Sequence, residues 1–307
     1  MENDMKIYVI VVTYKGMRWY DKCFSSLRES TIPVQIIVVD NTPGEEDANY
    51  IKTNFPEIHL IKTEENLGFG KANNIGMRYA LDHGCDYVFL LNQDAWIFPP
   101  TIETIVRTSQ LHPEFGIISP IQCNCELTQV HNGVIDFLAN PEQINHDLFS
   151  DIILGTIKDI YSIKEMNAAA WLLPRKTLEV VGGFDPIFLH YGEDWNYLSR
   201  VLFHGFKVGL MPRVYIVHDS AIHVDRPKGY DMNFEKWLLQ RASDVLYPDV
   251  HVKEMIRHYW KMAIFKLLCL HKATFLENWR AYKFLKIHKK ELAYSREINK
   301  KKGTNWL

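Results

Sequence analysis

The groups best able to do chemistry in this chain directly follow apolar runs. Asp40 ends the run VQIIVVD and precedes the turn Asn41-Thr42-Pro43-Gly44. A carboxylate there can accept hydrogen bonds from a base or ribose laid across strand ends, or it can cap its own turn. Asn92-Gln93-Asp94 follows YVFLL. Alternate residues at a strand end point the same way, so Asn92 and Asp94 can offer oxygen ligands to one magnesium or manganese ion, or simply begin a loop. His218 ends the run VYIV ahead of Asp219, with His223 nearby; it suits a further metal ligand or a satisfied core histidine. The adjacent acids Glu193 and Asp194 stand among Phe188, Tyr191 and Trp195, close after Gly182-Gly183-Phe184-Asp185. Those aromatic neighbours argue against simple solvation, so the pair contains candidates for a general base.

Residues 66–76, NLGFGKANNIG, form a glycine-rich entry to a helix. Backbone N–H groups and the positive helix end could face a phosphate there, or the segment could be only a turn and cap. It is no dinucleotide fingerprint, because Asn73 stands where the third glycine belongs. Nor is it a P-loop, because Glu65 replaces the first glycine and Ala72 follows the lysine.

These groups need a scaffold of alternating strands and helices. The β-branched run IYVIVVT at 7–13 predicts a strand covered on both faces, as do 34–40 and 87–91, with a shorter strand at 58–62. Between them, Trp19, Cys23, Phe24 and Leu27 fall at helical spacing, 72–83 reads as a helix stopped by Gly84, and 101–112 as another. Such alternation means a parallel sheet with right-handed crossovers, which binds ligands outside the carboxyl ends of its strands. Residues 121–163 read as irregular, 166–173 as a strand, 176–181 as a helix, and 254–302 as largely helical.

The 307 residues, 47% hydrophobic and 23% charged, suit one large globular core with a small appendage. No run approaches the roughly 18 apolar residues of a membrane span, Lys266 interrupting the closest at 262–270. Glu2, Asp4 and Lys6 ahead of a short apolar run predict no secretory leader. The five scattered cysteines, of which only Cys123 and Cys125 lie close, read as reduced thiols of a cytoplasmic protein. Charge is uneven. Residues 251–307 hold fourteen Lys or Arg against four acids, about +10, leaving about −12 on the rest. Aromatics alternate with these bases, so the segment could lie on an anionic membrane or pack its aromatics on the main domain. No recognition motif points to nucleic acid.

Taken together, VVTYKG, VVDNTP, NLGFGKANNIGMRYAL, LLNQDAWIFPP, GGFDPIFLHYGEDWNYLSR and the histidine of VYIVHDS resemble, in order, the family 2 glycosyltransferases, especially the rhamnosyltransferase-like branch of bacterial polysaccharide assembly. The resemblance implies a glycosyltransferase A fold, α/β with a mostly parallel central sheet flanked by helices and a helical C-terminal appendage. It divides the chain into a catalytic domain at 1–250, its nucleotide half about 1–115 and its acceptor half about 116–250, and the basic segment 251–307. By the same resemblance Thr13, Tyr14 and Asp40 lie at the nucleotide, and Asn66, Gly68 and Asn73 line the donor pocket. Asn92 and Asp94 occupy the DxD position, where Asp94 binds a divalent cation and Asn92, in place of the first acid, is a neutral ligand or ribose contact. Asp194 matches the catalytic base, with Glu193 beside it, and His218 the histidine that completes the metal site.

The expected activity is inverting, metal-dependent transfer of a hexosyl group from a nucleotide-diphospho-sugar to a hydroxyl of a saccharide or lipid-linked saccharide. The expected location is cytoplasmic, peripheral on the inner face of the membrane if the basic segment meets lipid. Two other functions fit such a scaffold: a sugar-phosphate nucleotidyltransferase, and a non-catalytic nucleotide-sugar binding protein. VVTYKGMRWY lacks the glycine- and arginine-rich phosphate loop of the former, and Asp94, Asp194 and His218 together argue against the latter.

Overall fold

A computed structural model describes residues 5–139, 147–189, 191–219 and 234–307. Glu2, Asp4 and His223 lie outside the described residues. The first half runs β1 (Ile7–Thr13), α1 (Met17–Arg28), β2 (Gln35–Asp40), α2 (Glu46–Asn54), β3 (His59–Lys62), α3 (Gly68–Asp82), β4 (Tyr87–Asn92), β5 (Ala95–Trp96) and α4 (Thr101–Leu111). Then come β6 (Phe115–Cys123), α5 (Asn132–Ala139), α6 (Asp147–Leu154), β7 (Tyr161–Ile163), β8 (Ala170–Pro174), α7 (Arg175–Val181), α8 (Glu193–Phe203) and β9 (Lys207–His218). The chain closes with α9 (Phe234–Ser243), α10 (Val252–Leu268), α11 (Lys272–Ile287) and α12 (Lys289–Asn299).

One sheet runs β3-β2-β1-β4-β8-β6-β9-β5, with β7 also paired to β9. The four strands β3, β2, β1 and β4 are mutually parallel, as their buried β-branched runs predict. Beyond them β8 lies antiparallel between β4 and β6, and β9 is parallel to β6 but antiparallel to β5 and β7. Residues alternate between the faces of β1. Tyr8 and Ile10 enter the core under α3, α7 and α8, whereas Ile7, Val9 and Val11 enter the core under α1, α2 and α4. Helix α3 crosses the first face closely because Gly76 carries no Cβ to meet the Ile10 side chain.

Two stretches differ from expectation. Residues 121–163, read as irregular, hold the end of β6, both short helices α5 and α6, and β7. Helix α3 also begins earlier, at Gly68, so the glycine-rich segment is its first turn rather than a loop before it. Gly68 has φ 80° and its α-carbon faces the Leu189 carbonyl, so a side chain is excluded twice over.

The C-terminal helices split in behaviour. Helix α12 is bonded into the acceptor half: Asp185 accepts from Ser295 Oγ, from Asn299 Nδ2 at 2.7 Å and from its own Ile187 N–H at 3.0 Å. Gly183 N–H donates to the Asn305 carbonyl at 2.8 Å, and Arg78 reaches the Leu307 carbonyl at 2.6 Å. The GGFD loop is therefore held from one side by the last helix. Arg200 of α8, fully buried, holds it from the other through the carbonyls of Gly183 and Val181. By contrast α10 and α11 form a hairpin that packs through its base onto α9 and α12. No helix among the described residues is long and apolar enough to cross a membrane.

Candidate functional site

The carboxyl ends of β1, β2 and β4 meet in one place, as a parallel half-sheet requires. Asp40 is wholly buried at the end of β2. Its Oδ1 accepts from Thr13 Oγ1 at 3.1 Å and from the Thr42 N–H at 2.9 Å, and Lys62 Nζ lies 3.0 Å from Oδ2. The carboxylate thus knits three strand ends together, combining the Asx-turn role with a place at the nucleotide side. Tyr14, half exposed just beyond β1, is clamped through its N–H and carbonyl to the Gln93 amide at 2.9 and 3.2 Å.

The α3 entry is tied to the same rim. Asn41 Nδ2 donates to the Gly68 carbonyl at 3.2 Å, and Gly68 N–H donates to Asn66 Oδ1 at 2.9 Å. Asn73, buried, donates back to the Phe69 carbonyl one turn earlier at 3.0 Å. Its neighbour Asn74 makes the longer connection. It donates to the Phe184 carbonyl at 2.8 Å and accepts from the Phe184 N–H at 2.7 Å, locking α3 to the GGFD loop.

Asn92, Asp94 and His218, separated by up to 126 positions in sequence, converge at the β4–β5 turn because β5 pairs antiparallel with β9. His218 Nε2 lies 3.4 Å from Asp94 Oδ1 and 3.5 Å from the Asn92 amide. On its other side His218 Nδ1 meets Gln122 Oε1 at 3.0 Å. The Gln122 amide N–H₂ donates to Asn167 Oδ1 at 2.5 Å, which leaves its oxygen for the imidazole. Nδ1 therefore carries a proton, and in the neutral imidazole so held the Nε2 lone pair is directed toward Asp94. Two acceptors facing each other at that spacing fit two ligands of one cation, which at bond lengths of about 2.1 Å lie roughly 3.0–3.5 Å apart. The Gln122 contact is the outer support that a metal-binding imidazole normally has. Among the described residues no three His, Cys, Asp or Glu side chains gather at one point, so further ligands would come from the Asn92 amide and substrate phosphates.

Glu193 and Asp194 open α8 behind Gly192, whose φ of 99° turns the chain into the helix. The Asp194 carboxylate accepts from the Trp195 N–H at 2.8 Å, and the nearby Ala168 backbone favours its charged form. Burial nevertheless raises its pKa, with Glu165 adding a smaller push. Ala168 joins this acid to the cation pair, because the next residue, Ala169, accepts from the Asn92 N–H at 2.9 Å. One short segment, 167–169, thus touches the Gln122 support, the Asp194 carboxyl and the end of β4. Glu193 turns toward the α3 entry, its Cβ packed near Gly70. Burial, with the Asp194 charge second, pushes the Glu193 carboxyl up to about 7.

That shift has a sign in stability. The unfolded value is near 4.5, so between about pH 4.5 and 7 the fold keeps a proton that the unfolded chain has lost, and stability falls as pH rises. Above that window the full cost is on the order of 3 kcal/mol. Glu193→Gln is therefore expected to flatten the decline of the melting temperature between pH 4.5 and 8. Parallel melting curves for the two proteins would rule out a raised Glu193.

Every residue singled out at the strand ends lies on this rim, in two sub-clusters. Thr13, Asp40, Asn66, Gly68 and Asn73 gather around β1, β2 and α3. Asn92, Asp94 and His218 gather around β4, β5 and β9, with Asp194 reached through Ala168. Gln122, Asn167 and Asn74 carry no functional signal in the sequence: Gln122 sits in the stretch read as irregular, Asn167 in the strand 166–173, and Asn74 in the glycine-rich helix entry. An open apolar groove of about 590 Å³ is lined by Gln129, Val130, Ile135, Leu138 and Phe149. His131, next in sequence to Val130, stacks its ring 4.8 Å from that of His218.

Comparison with known proteins finds relatives of the sequence and of the fold. Residues 8–145 match the family model described as Glycosyl transferase family 2. The low-salt glycan biosynthesis hexosyltransferase Agl10 of Haloferax volcanii is 24% identical over 232 residues, spanning 74% of this chain and 70% of that protein. The N-acetylglucosaminyl-diphospho-decaprenol L-rhamnosyltransferase of Mycobacterium tuberculosis is 21% identical over 232 residues, spanning 69% of this chain and 76% of that one. Among solved structures, the mannosyltransferase PcManGT from Pyrobaculum calidifontis, in complex with GDP-Man and Mn2+, superposes with a TM-score of 0.52 at 16% identity, over 95% of this chain and 76% of that one. At that identity the likeness is one of fold, the glycosyltransferase A arrangement.

Proposed function

From the match of residues 8–145 to the Glycosyl transferase family 2 model, we propose that the chain is an inverting, cation-assisted hexosyltransferase with Asp194 as its general base. The observation that carries this reading is the link of the Asp94–His218 pair to Asp194 through the backbone of Ala168 and Ala169. One site for a leaving diphosphate and one for an attacking hydroxyl are thereby held on a common rim.

In this reading the nucleoside lies over Thr13, Tyr14 and Asp40. Asp40 acts chiefly by holding the β1, β2 and β3 ends in register, since its carboxylate is already engaged. Asn66, Gly68 and Asn73 shape the wall that the sugar meets. Asn92, Asp94 and His218 would hold manganese or magnesium, which when bound neutralises charge on the departing diphosphate. Asp194 takes the proton of the acceptor hydroxyl as its oxygen bonds to the anomeric carbon and the bond from that carbon to the phosphate oxygen breaks. A single in-line displacement inverts the anomeric centre. The raised pKa of Asp194 makes it a stronger base than an exposed aspartate, and Glu193 beside it favours proton uptake at the pair.

The relatives support sugar transfer in glycan assembly, and one is named for a diphospho-decaprenol acceptor. A saccharide, or a saccharide on a lipid diphosphate, is the acceptor class this favours. The catalytic unit is then 1–250, with α12 bracing its GGFD loop. Within the basic segment 251–307, the α10–α11 hairpin, which is not bonded into the acceptor half, would meet the inner, cytoplasmic face of an anionic membrane. A nucleotidyltransferase is disfavoured because VVTYKGMRWY lacks its glycine- and arginine-rich phosphate loop, and a mere binding protein has no use for an oriented base.

The experiment is a thermal-shift panel of nucleoside diphosphates and nucleotide sugars, each with and without manganese. A ligand that binds only the folded state raises the melting temperature, by about 2.7 kcal/mol of stability at 100 times its Kd. One nucleotide family is expected to stabilise, more strongly with metal. No shift with any nucleotide, with or without metal, would overturn the proposal.

A further inference from the structure

We propose that the tip of the α10–α11 hairpin is a membrane wedge, inserting its leucines into an anionic phospholipid bilayer while a collar of basic side chains meets the headgroup phosphates. The inference rests on the membrane contact proposed above and gives it a place. The base of the hairpin is an ordinary packed structure: Val252, Ala281 and Leu285 are buried with Leu238 and Ala242 of α9 and Leu292 of α12. Beyond Ala263 that pattern reverses. Phe265 and Leu267 are each 54% exposed, Leu268 77%, Leu270 90% and Leu276 44%. A hairpin tip that ended in water would be polar, and a contiguous exposed apolar patch marks a surface that meets something.

The turn itself adds an independent sign. Leu270 occupies the left-handed conformation, φ 58°, where glycine is favoured, and its side chain has almost no intramolecular packing. Nothing inside the fold calls for a leucine at that position.

Charge decides the occupant. Lys266 and Lys272 flank the turn, and Arg257, Lys261, Arg280 and Lys283 lie further back along the two arms, with Glu277 the one acid between 257 and 283. Apolar side chains at the apex with bases behind them match the layered chemistry of an anionic bilayer, in which such elements sink about 5–10 Å. A second copy of this chain would instead set one basic collar against another. The hairpin also leads back to the acceptor half. Phe284 of α11 lines a groove of about 300 Å³ with Ile187, Leu189, Tyr191 and Lys236. Twelve residues of helix, about 18 Å, separate it from the start of α11, so a lipid-anchored acceptor need reach only that far from the bilayer.

The test is co-sedimentation of the full chain with vesicles rich in phosphatidylglycerol, compared with vesicles of phosphatidylcholine alone. Wild type is expected to pellet with the former, and the double variant Leu268→Asp, Leu270→Asp to lose at least about tenfold in vesicle affinity. The variant's nucleotide-induced thermal shift should equal that of wild type, showing that it is folded. Absence of anionic-vesicle binding by wild type, equal binding by the variant, or a wild-type dimer that the variant dissolves would each overturn the wedge. Loss of nucleotide binding in wild type would sink the transferase reading and leave the vesicle result standing.

Discussion

Asp194→Asn is expected to lower sugar transfer by about 10²- to 10⁴-fold, the usual range for loss of a positioned general base, while nucleotide affinity stays within about twofold. The substitution is nearly isosteric, and an asparagine oxygen can still accept from the Trp195 N–H that holds the carboxylate. The α8 N-terminus should therefore keep its geometry. What disappears is the ability to take a proton. Burial raises the Asp194 pKa because ionising it costs free energy, so the neutral amide should not destabilise the fold. Donor titration by thermal shift and transfer rates measured on the same preparation separate the roles. A fall in rate with unchanged donor affinity is the mark of a base. An unchanged rate would remove Asp194 from the chemistry, and a matching loss of donor affinity would make it a nucleotide or cation contact instead.

The nucleotide half was legible because its signals are local. Continuous β-branched runs at 7–13 and 34–40 can hardly do anything but fill a covered parallel sheet, and the polar residues ending them follow from where such sheets bind. Asp94 and His218 could be marked as strand-end residues by the same rule. Their meeting depends on β5 pairing with β9, a two-residue strand that no periodicity reveals. Gln122 and Asn167 were illegible for a related reason. Each matters only through a partner 45 or more positions away, which neither the irregular stretch around Gln122 nor the strand signal around Asn167 indicates. The role of α12 was hidden in composition. Its lysines made the whole segment 251–307 look like one basic appendage, yet Ser295 and Asn299 point inward and hold Asp185. A polar residue that faces a core is indistinguishable, in one sequence, from one that faces water.

Asp94→Ala is expected to cost transfer about 10³-fold or more and to abolish the extra stabilisation that manganese adds to nucleotide binding, because it removes the only carboxylate of the cation pair. The fold should tolerate it. The Asp94 side chain is 19% exposed and its partner is the His218 imidazole, which Gln122 holds in the Nδ1–H tautomer without help from Asp94. The β5–β9 pairing uses the Asp94 carbonyl, which accepts from the Asp219 N–H at 2.8 Å and survives the substitution. The direct readout is the manganese concentration that half-saturates the nucleotide-dependent thermal shift, which should rise by roughly a hundredfold or pass out of range. Gln122→Leu makes the argument sharper, since it leaves both ligands in place and removes only the support of His218. Loss of such an outer contact typically weakens metal affinity about 10- to 100-fold, so a smaller shift in the same direction is expected. If both variants kept the wild-type manganese dependence, the pair would be an ordinary buried His–Asp contact. The leaving diphosphate would then have to be stabilised elsewhere, and the α3 entry, with Gly68 against the Leu189 carbonyl and Gly70 beside Glu193, would be where to look.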